Sequence, residues 1–303
     1  MHSVCTIASL MLLPLPSKPS SIVPLKKELE TIATNFHGTL GYSFHHLKKG
    51  ERLDLRADES FPTASTIKLA ILCTAMDKNQ QGTIGYFDTR EYTDLDKRGG
   101  AGFIQNYKLG TKLEMKELLH LMITVSDNSA TAMMVRWIGT MEINAWLVRH
   151  GLKGTKILTQ LPESEIELRK LNEQWGLGVT TPNEMRSLME MVGNGRAGAQ
   201  AACDEMHRIL NHQYFDSGIP SQIPPWVCVA SKSGAVDQSR SEVALVHSPS
   251  GDYALSVYTK ENKDQRWEKD NEGEVAIRAI SRAIWKHYHP KDKWSTPAGV
   301  EKF

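Results

Sequence analysis

Segments typical of β-strands lie near both ends of this sequence, and the long stretch between them has helical periodicity. The strand-like runs are residues 39–47, 52–55, 226–232, 242–247 and 253–260. Residues 66–213 are mostly helical in pattern. Strands so far apart in sequence bury their apolar faces by pairing across the chain. The sequence therefore predicts an α+β fold, in which one antiparallel sheet with flanking helices is built from both chain ends around an inserted all-α domain.

Turns and flanking helices place the boundaries of these units. The glycine and charges of residues 48–51 suit an exposed hairpin turn between the first two strands. Helical patterns begin behind Pro24 and again near Glu274. We predict a discontinuous α/β domain that comprises residues 22–64 and 214–290. The helical domain inserted into it spans residues 65–213, and a C-terminal tail spans residues 291–303.

Two helix starts in the middle of the chain carry capping signals. Thr111 is followed three residues later by Glu114, a spacing typical of a capping box. Thr181 is followed by Pro182 and then by Glu184, which adds the proline preferred in a first turn. We therefore expect helices to begin at Thr111 and Thr181.

The composition excludes several classes of partner. With 303 residues and 40% hydrophobic content, the chain can bury a sizeable core. Its 36 basic and 35 acidic residues nearly cancel, so we expect neither nucleic acid nor an anionic membrane as a partner. A small neutral or weakly anionic molecule fits this balance better, and we expect the chain to be a monomer.

Cysteine and histidine spacing gives no sign of a metal or cofactor. The four cysteines lie far apart without a Cys-x-x-Cys pair, and we interpret them as isolated apolar residues. The eleven histidines form no His-Glu-x-x-His pattern. We therefore expect no catalytic metal and no cofactor.

The N-terminus contains an apolar run, Val4 to Leu13, which ends at Pro14-Leu15-Pro16. Its length is that of a signal-peptide core, although no Lys or Arg precedes it and no clear cleavage site follows. We interpret residues 1–21 as a leader and expect a periplasmic or secreted protein, with a mis-assigned start codon and a cytoplasmic location left open. No other segment approaches eighteen apolar residues, so we expect no membrane span in the mature chain.

A lysine interrupts a helix that is otherwise apolar nearly all round. The segment Thr66 to Met76 has the composition of a buried central helix, and Lys68 lies within it. Burying an ammonium group is unfavourable unless it gains partners or loses its proton. Ser65 lies three residues earlier, so a helix would place its hydroxyl on the same face as the amine. The helix N-terminus also offers free N–H groups and a positive dipole end to a developing oxyanion.

Two further short motifs follow elements with clear patterns. Ser126-Asp127-Asn128 comes directly after an apolar helix, where these residue types equally suit a simple turn between helices. Lys232-Ser233-Gly234 ends a β run, and its glycine would let a ligand or another backbone approach closely. An ordinary strand end with an exposed lysine is the alternative.

With these three motifs in this order, the sequence resembles the class A β-lactamases and related penicillin-binding proteins. Their motif set is Ser-x-x-Lys, Ser-Asp-Asn and Lys-Thr-Gly, and here serine replaces the threonine. Phe61-Pro62-Thr63-Ala64 before the serine and Thr180-Thr181-Pro182 are similar to the same superfamily. The resemblance extends from about Leu25 to Tyr288 and implies a β-lactamase/transpeptidase-like fold.

The resemblance also implies roles for the motif residues. Ser65 would be the acylated nucleophile, Lys68 its partner or base, and Ser126 the relay of a proton to the leaving nitrogen. The substrate-binding residues it implies are Asn128 for the substrate amide, Lys232 with Ser233 for the substrate carboxylate, Gly234, Ala235 and Arg240. The backbone N–H groups of Ser65 and Ala235 would form the oxyanion hole, and Arg240 would be a second carboxylate anchor or a solvated arginine. From charge alone, a Lys232 cation near Lys68 would lower the pKa of the Lys68 amine.

The sequence departs from the family where a carboxylate activates the deacylating water. The family pattern is Glu-x-x-Leu-Asn, and here Glu167 precedes Leu171-Asn172 by one residue too many. Aligning Leu171 and Asn172 puts Leu168 at the position of the glutamate. A bulge could bring in Glu167, or its neighbours Glu163 and Glu165, and we assign Glu167 the catalytic role as an expectation. A solvated charged face is the alternative.

These observations favour a serine hydrolase that forms an acyl-enzyme on Ser65, with β-lactams as the substrate class that the resemblance implies. One alternative is a peptidase or esterase that uses the same residues. Another is a penicillin-binding acyl trap or sensor that lacks efficient deacylation. An α/β-hydrolase is disfavoured because the sequence has no Gly-x-Ser-x-Gly.

Overall fold

The computed structural model describes residues 22–299, and a five-stranded antiparallel sheet is its largest element. The strands of the described chain are β1 Thr39–His46, β2 Glu51–Leu55, β3 Phe61–Pro62, β4 Thr89–Glu91, β5 Lys112–Glu114, β6 Lys156–Ile157, β7 Gly178–Thr180, β8 Val229–Val236, β9 Ser239–Val246 and β10 Tyr253–Lys260. The large sheet has the order β2-β1-β10-β9-β8, which joins strands from both chain ends as predicted. Two small sheets, β3-β7-β6 and β4-β5, lie apart from it.

Helices cover the sheet and fill the middle of the chain. They are α1 Val23–Asn35, α2 Lys68–Gln80, α3 Met115–Thr124, α4 Asn128–Ile138, α5 Thr140–Arg149, α6 Ile166–Trp175, α7 Pro182–Gly193, α8 Gln200–Leu210 and α9 Glu272–Tyr288. The mixed α+β class and the antiparallel sheet flanked by helices are therefore confirmed.

Both faces of the large sheet are buried against helices. Because strand side chains alternate between the two faces, a strand such as β10 contributes residues to apolar clusters on both sides. In β10, Leu255 and Val257 join the apolar cluster that contains α1 and α9. Ala254 and Tyr258, on the opposite face, join the cluster that contains α2 and the other middle helices. This two-sided cover explains why every residue of β9 is buried. The β8 strand lies at one edge of the sheet, so a ligand can approach its outer side.

The α2 helix lies at the centre of the larger cluster. Residues 69–73 are wholly inaccessible to solvent, as the apolar pattern predicts. The helix packs against α4, α5 and α8. Any polar group at its start is therefore enclosed by protein.

Three local expectations are corrected by the structure. The α3 helix begins at Met115 and is capped by Glu114 with Glu117, whereas the Thr111 hydroxyl donates to the Lys108 carbonyl in a preceding turn. The β8 strand extends to Val236, so the Lys232-Ser233-Gly234 motif lies within the strand and not at its end. Trp226 precedes the strand and is 72% exposed.

Within residues 22–299, none of the helices combines the length and apolar character needed to cross a bilayer. The interpretation of residues 1–21 as a leader concerns residues outside the described part, as does the end of the predicted tail, 300–303.

The two predicted caps give a matched pair of variants. The Thr181 hydroxyl accepts a hydrogen bond from the Glu184 N–H at 3.1 Å and caps α7. We expect Thr181→Ala to lower the free energy of unfolding by about 1 kcal/mol. Thr111→Ala should change it by less than about 0.5 kcal/mol, because its hydroxyl is exposed. Urea unfolding followed by circular dichroism checks both, and equal losses would contradict the cap assignment.

Candidate active site

A tight turn leads into α2 and holds Ser65. Residues Ala64–Ile67 form a 3₁₀ turn, and the α-helix begins at Lys68. The turn is fixed from two sides: the Thr63 N–H donates to the Gly178 carbonyl at 2.9 Å, and the Tyr258 hydroxyl donates to Thr66 Oγ1 at 2.7 Å. Ser65 itself is partly exposed. Its hydroxyl makes no hydrogen bond within the described part of the chain, so it is free to meet a substrate.

Lys68 is buried and fully hydrogen-bonded. Its Nζ donates to the Ser126 carbonyl at 2.6 Å, to Ser126 Oγ at 2.9 Å and to Asn128 Oδ1 at 2.9 Å. Burial and then the positive charge of Lys232 hold the pKa of Lys68 well below its usual value, whereas Asp127 opposes them. The structure thus brings the first and second motifs together. Three acceptors favour the ammonium form and burial favours the amine, so this group can exchange a proton.

The Ser126-Asp127-Asn128 motif is a turn between helices and also part of the site. Ser126 adopts a left-handed backbone conformation, with φ of 55°, between α3 and α4. Asp127 Oδ1 accepts from the Ala130 N–H at 2.8 Å and caps α4, while its Oδ2 accepts from the N–H groups of Phe103 and Ile104. The buried aspartate thereby fixes the backbone that points Ser126 and Asn128 at Lys68.

The motif in β8 lies against the turn that holds Ser65. A Cβ atom added to Gly234 would stand 2.8 Å from the Thr63 carbonyl oxygen and 2.9 Å from the Ser65 nitrogen. Glycine is therefore required for this close approach. Ser241 of the neighbouring strand reinforces the contact, since its Oγ donates to the Thr63 carbonyl at 3.3 Å. The Lys232-Ser233-Gly234 segment is thus packed against the turn that holds Ser65.

Lys232 is buried beside a glutamine that the sequence analysis missed. Its Nζ donates to the Ser233 carbonyl at 2.9 Å. In the amide orientation that satisfies both ends, Gln213 Oε1 accepts from Lys232 Nζ at 3.1 Å and from the Ser233 N–H at 3.2 Å. Gln213 lies in an irregular segment after α8, where no motif marks it. Burial lowers the pKa of Lys232 to about 7, and Glu242 opposes this shift.

The position of Ala235 in β8 determines the direction of its backbone N–H. In a strand, N–H groups two residues apart point to the same edge. The Ser233 N–H points away from β9 toward Gln213. The Ala235 N–H therefore also points outward, away from β9.

Arg240 does not face this site, which corrects its assignment as a carboxylate anchor. Its neighbour Ser241 points toward the Ser65 turn, so strand alternation turns Arg240 to the opposite face. There the guanidinium donates to the carbonyls of Val236, Ser239 and Arg266. It also lies 3.6 Å from the Glu274 carboxylate. This arginine holds the β8–β9 turn against the start of α9.

Glu167 is also outside the site. It lies on α6 with its side chain 83% exposed, and it pairs with Lys170 at 2.9 Å. A cavity of about 240 Å³ adjoins Lys68, and its walls include Asn128, Ile157 and Gln160. No acidic residue of the described chain lines this cavity. The helical path of α6, with its pairing to Lys170, keeps Glu167 in solvent.

Known proteins share this architecture. A model of the beta-lactamase enzyme family matches residues 24–288. Beta-lactamase VEB-1 of Pseudomonas aeruginosa is 20% identical over 277 residues, which cover 87% of this chain and 90% of the relative. The solved structure of PBP-A in its L158E form, an acyl-enzyme complex with penicillin G, is 25% identical with a TM-score of 0.78 and covers 92% of this chain and 100% of its own. A beta-lactamase from Sphaerobacter thermophilus is 21% identical with a TM-score of 0.78, covering 90% and 99%.

The depressed pKa of Lys232 gives a prediction for stability. Between pH 7 and its ordinary pKa of 10.5, the unfolded chain holds a proton that the folded protein has released, so this group makes stability rise with pH. We expect Lys232→Met to remove part of that rise, a few kcal/mol, since one pKa unit corresponds to about 1.4 kcal/mol.

Urea unfolding at several pH values between about 7 and 10 measures this slope. Lys153→Met, at an exposed position, serves as the control and should keep the slope of the unaltered protein. An unchanged slope in Lys232→Met would show that Lys232 is protonated throughout this range.

Proposed function

Because the chain belongs to the beta-lactamase enzyme family, we propose that it opens β-lactam rings by forming an acyl-enzyme on Ser65 and then hydrolysing it. The observation that carries this proposal is the contact of Lys68 with both Ser126 and Asn128, directly behind the turn that holds Ser65. A buried amine that contacts the Ser126 hydroxyl and begins the helix behind Ser65 is suited to moving a proton from a nucleophile to a leaving group.

Acylation would proceed in two steps. Ser65 Oγ attacks the lactam carbonyl carbon, and its proton passes to the Lys68 amine in its neutral form. The carbonyl oxygen gains the negative charge and accepts hydrogen bonds from the N–H groups of Ser65 and Ala235. The C–N bond then breaks, and the nitrogen takes the proton of the Ser126 hydroxyl. Lys68 returns a proton to Ser126 across their 2.9 Å hydrogen bond.

Substrate binding would use the sheet edge. The β8 strand presents the partly exposed Ser233 hydroxyl, which would hydrogen-bond a carboxylate, and the charge of the buried Lys232 would attract that carboxylate. Asn128 would hydrogen-bond the substrate amide through its side chain, which Lys68 and the Gly99 carbonyl hold in place. Asn128 and Lys232 are both held by contacts within the protein, which reduces the entropy lost on substrate binding.

A second function, an acyl trap with slow release of product, is favoured by the position of Glu167. Deacylation requires a base that takes a proton from water. The cavity beside Lys68 is lined by no carboxylate of the described chain, and Glu167 points to solvent. Lys68 lines this cavity, and we propose that it governs how fast Ser65 is freed. The penicillin G complex of the PBP-A L158E mutant, an acyl-enzyme, supports acylation as a step within this fold.

A chromogenic β-lactam tests the first step. We expect the protein to gain the mass of one opened lactam on the peptide that contains Ser65, with colour that either continues or stops after one equivalent. Ser65→Ala should show neither adduct nor colour above the background rate. Ser60→Ala, at an exposed serine nearby, is the matched control and should behave as the unaltered protein. An adduct or turnover retained by Ser65→Ala would refute the assignment of the nucleophile.

The same assay distinguishes the two functions. Continued colour with a short-lived adduct identifies a β-lactamase, and one burst with a lasting adduct identifies an acyl trap. Intact mass spectra at successive times after mixing measure the lifetime of the adduct. A protein that forms no adduct with any β-lactam would instead act on another amide or ester.

Glu167→Gln tests the deacylating group. We expect the adduct lifetime to change by less than about twofold, because a true general base contributes about 10² to 10⁴-fold. Glu173→Gln on the same helix, also exposed, is the matched control. A hundredfold longer adduct lifetime in Glu167→Gln alone would show that α6 moves to bring this carboxylate over Ser65.

A further inference from the structure

Two histidines and a cysteine that are distant in sequence meet beside the large sheet. His207 lies in the last turn of α8, Cys228 lies just before β8, and His247 directly follows β9. Their potential ligand atoms lie within 4.8 Å of one another, and the two histidine Nε2 atoms are 2.6 Å apart. Cys228 is exposed, which corrects its interpretation as an isolated apolar residue.

We propose that His207, Cys228 and His247 bind a divalent cation of the zinc class. Two imidazole nitrogens and one thiolate are the ligands that Zn²⁺ and Co²⁺ prefer, and three protein ligands leave a fourth position for water. The proposal is independent of the acyl-enzyme chemistry, since none of the three residues lines the cavity beside Lys68.

Neighbouring side chains orient the ligands. Asp252 Oδ2 lies 2.9 Å from His247 Nδ1, so the carboxylate accepts the Nδ1 proton and leaves the lone pair of Nε2 directed at the cluster. A carboxylate behind a ligating histidine is a recurring feature of zinc sites. Asn211 Nδ2 lies 3.1 Å from His207 Nδ1. Both histidines are thus held by a second residue on the side away from the cluster.

The hydrogen bonds of the metal-free cluster rearrange in a balanced way on binding. Without metal, His207 Nε2 donates its proton to His247 Nε2. With metal, that proton moves to His207 Nδ1, and the Asn211 amide turns so that its oxygen, which is buried without a hydrogen-bond partner, accepts it. The Cys228 thiol releases its proton to solvent as the sulfur binds. The nitrogens would separate to roughly 3.3 Å, as tetrahedral Zn–N bonds of about 2.0 Å require.

The position of the cluster indicates its effect. The His247 N–H already donates to the Cys228 carbonyl at 3.0 Å, so the ion would join the start of β8 to the end of β9 and to α8. The β8 strand carries Lys232 and Gly234 and is paired on one side. A bound ion would therefore fasten the edge strand of the active site and stabilise the folded protein by linkage.

Cobalt binding tests the site in the 303-residue chain without an affinity tag. All proteins carry Cys5→Ser, which removes the thiol near the N-terminus, and are stripped with chelator before Co²⁺ is added. We expect one equivalent of Co²⁺ to bind with a near-ultraviolet thiolate-to-cobalt charge-transfer band, and Zn²⁺ to displace it. Cys228→Ser should abolish the band, and Asp252→Asn should weaken binding by about 10 to 100-fold.

His212→Gln is the matched control, because His212 is exposed in the segment just after α8 and should leave binding unchanged. Melting temperatures of the metal-free variants verify that they fold, and Zn²⁺ should raise the melting temperature of the Cys228 protein but not of Cys228→Ser. Absence of the band, or a band of full intensity in Cys228→Ser, would overturn the proposal. Such a result would leave the acylation of Ser65 unaffected.

Discussion

The burial of the Lys68 ammonium group determines how the residues around it are arranged. A buried lysine must either be given acceptors or lose its proton, because an isolated charge in a protein interior is strongly unfavourable. Lys68 receives its acceptors from Ser126 and Asn128, which lie at the junction of α3 and α4. Asp127 fixes that junction by capping α4 and holding residues 103 and 104. The helical region is thus organised so that the second motif reaches the first.

The large sheet contributes the other half of the site through its free edge. Since helices cover both faces of the sheet, the outer side of β8 is where an approaching molecule can meet backbone N–H groups. Gly234 lets this strand lie against the turn of Ser65. A second buried lysine, Lys232, comes with it and further lowers the pKa of Lys68. The two lysines are therefore coupled, because a positive charge on Lys232 disfavours the ammonium form of Lys68.

The same principles explain why two expected residues lie elsewhere. Arg240 is one residue from Ser241, and the alternation of a strand sends the two side chains to opposite faces. Glu167 is drawn into α6, where its carboxylate pairs with Lys170 in solvent. Neither displacement changes the contacts of Lys68 with Ser126 and Asn128. They remove one expected anchor for a carboxylate and one expected carboxylate for activating water.

The sequence by itself determined the class of fold, the sheet built from both ends, and the buried central helix with its lysine. These follow from local periodicity and from the cost of burying charge, which a single segment reveals. The Thr181 cap is likewise local, whereas the Thr111 cap was wrong because Glu114 offers a competing cap one turn later. The three motifs were recognised from residues close together in the chain.

Only the tertiary structure decided which distant groups touch. Gln213 lies against Lys232, and His207 meets Cys228 and His247, although no spacing in the sequence connects them. Such contacts depend on how helices and strands pack, and packing is set by the whole core and not by any one segment. For the same reason the face of Arg240 and the exposure of Glu167 became known from the folded chain. The sequence identified Ser65 and Lys68, and the fold determined what surrounds them.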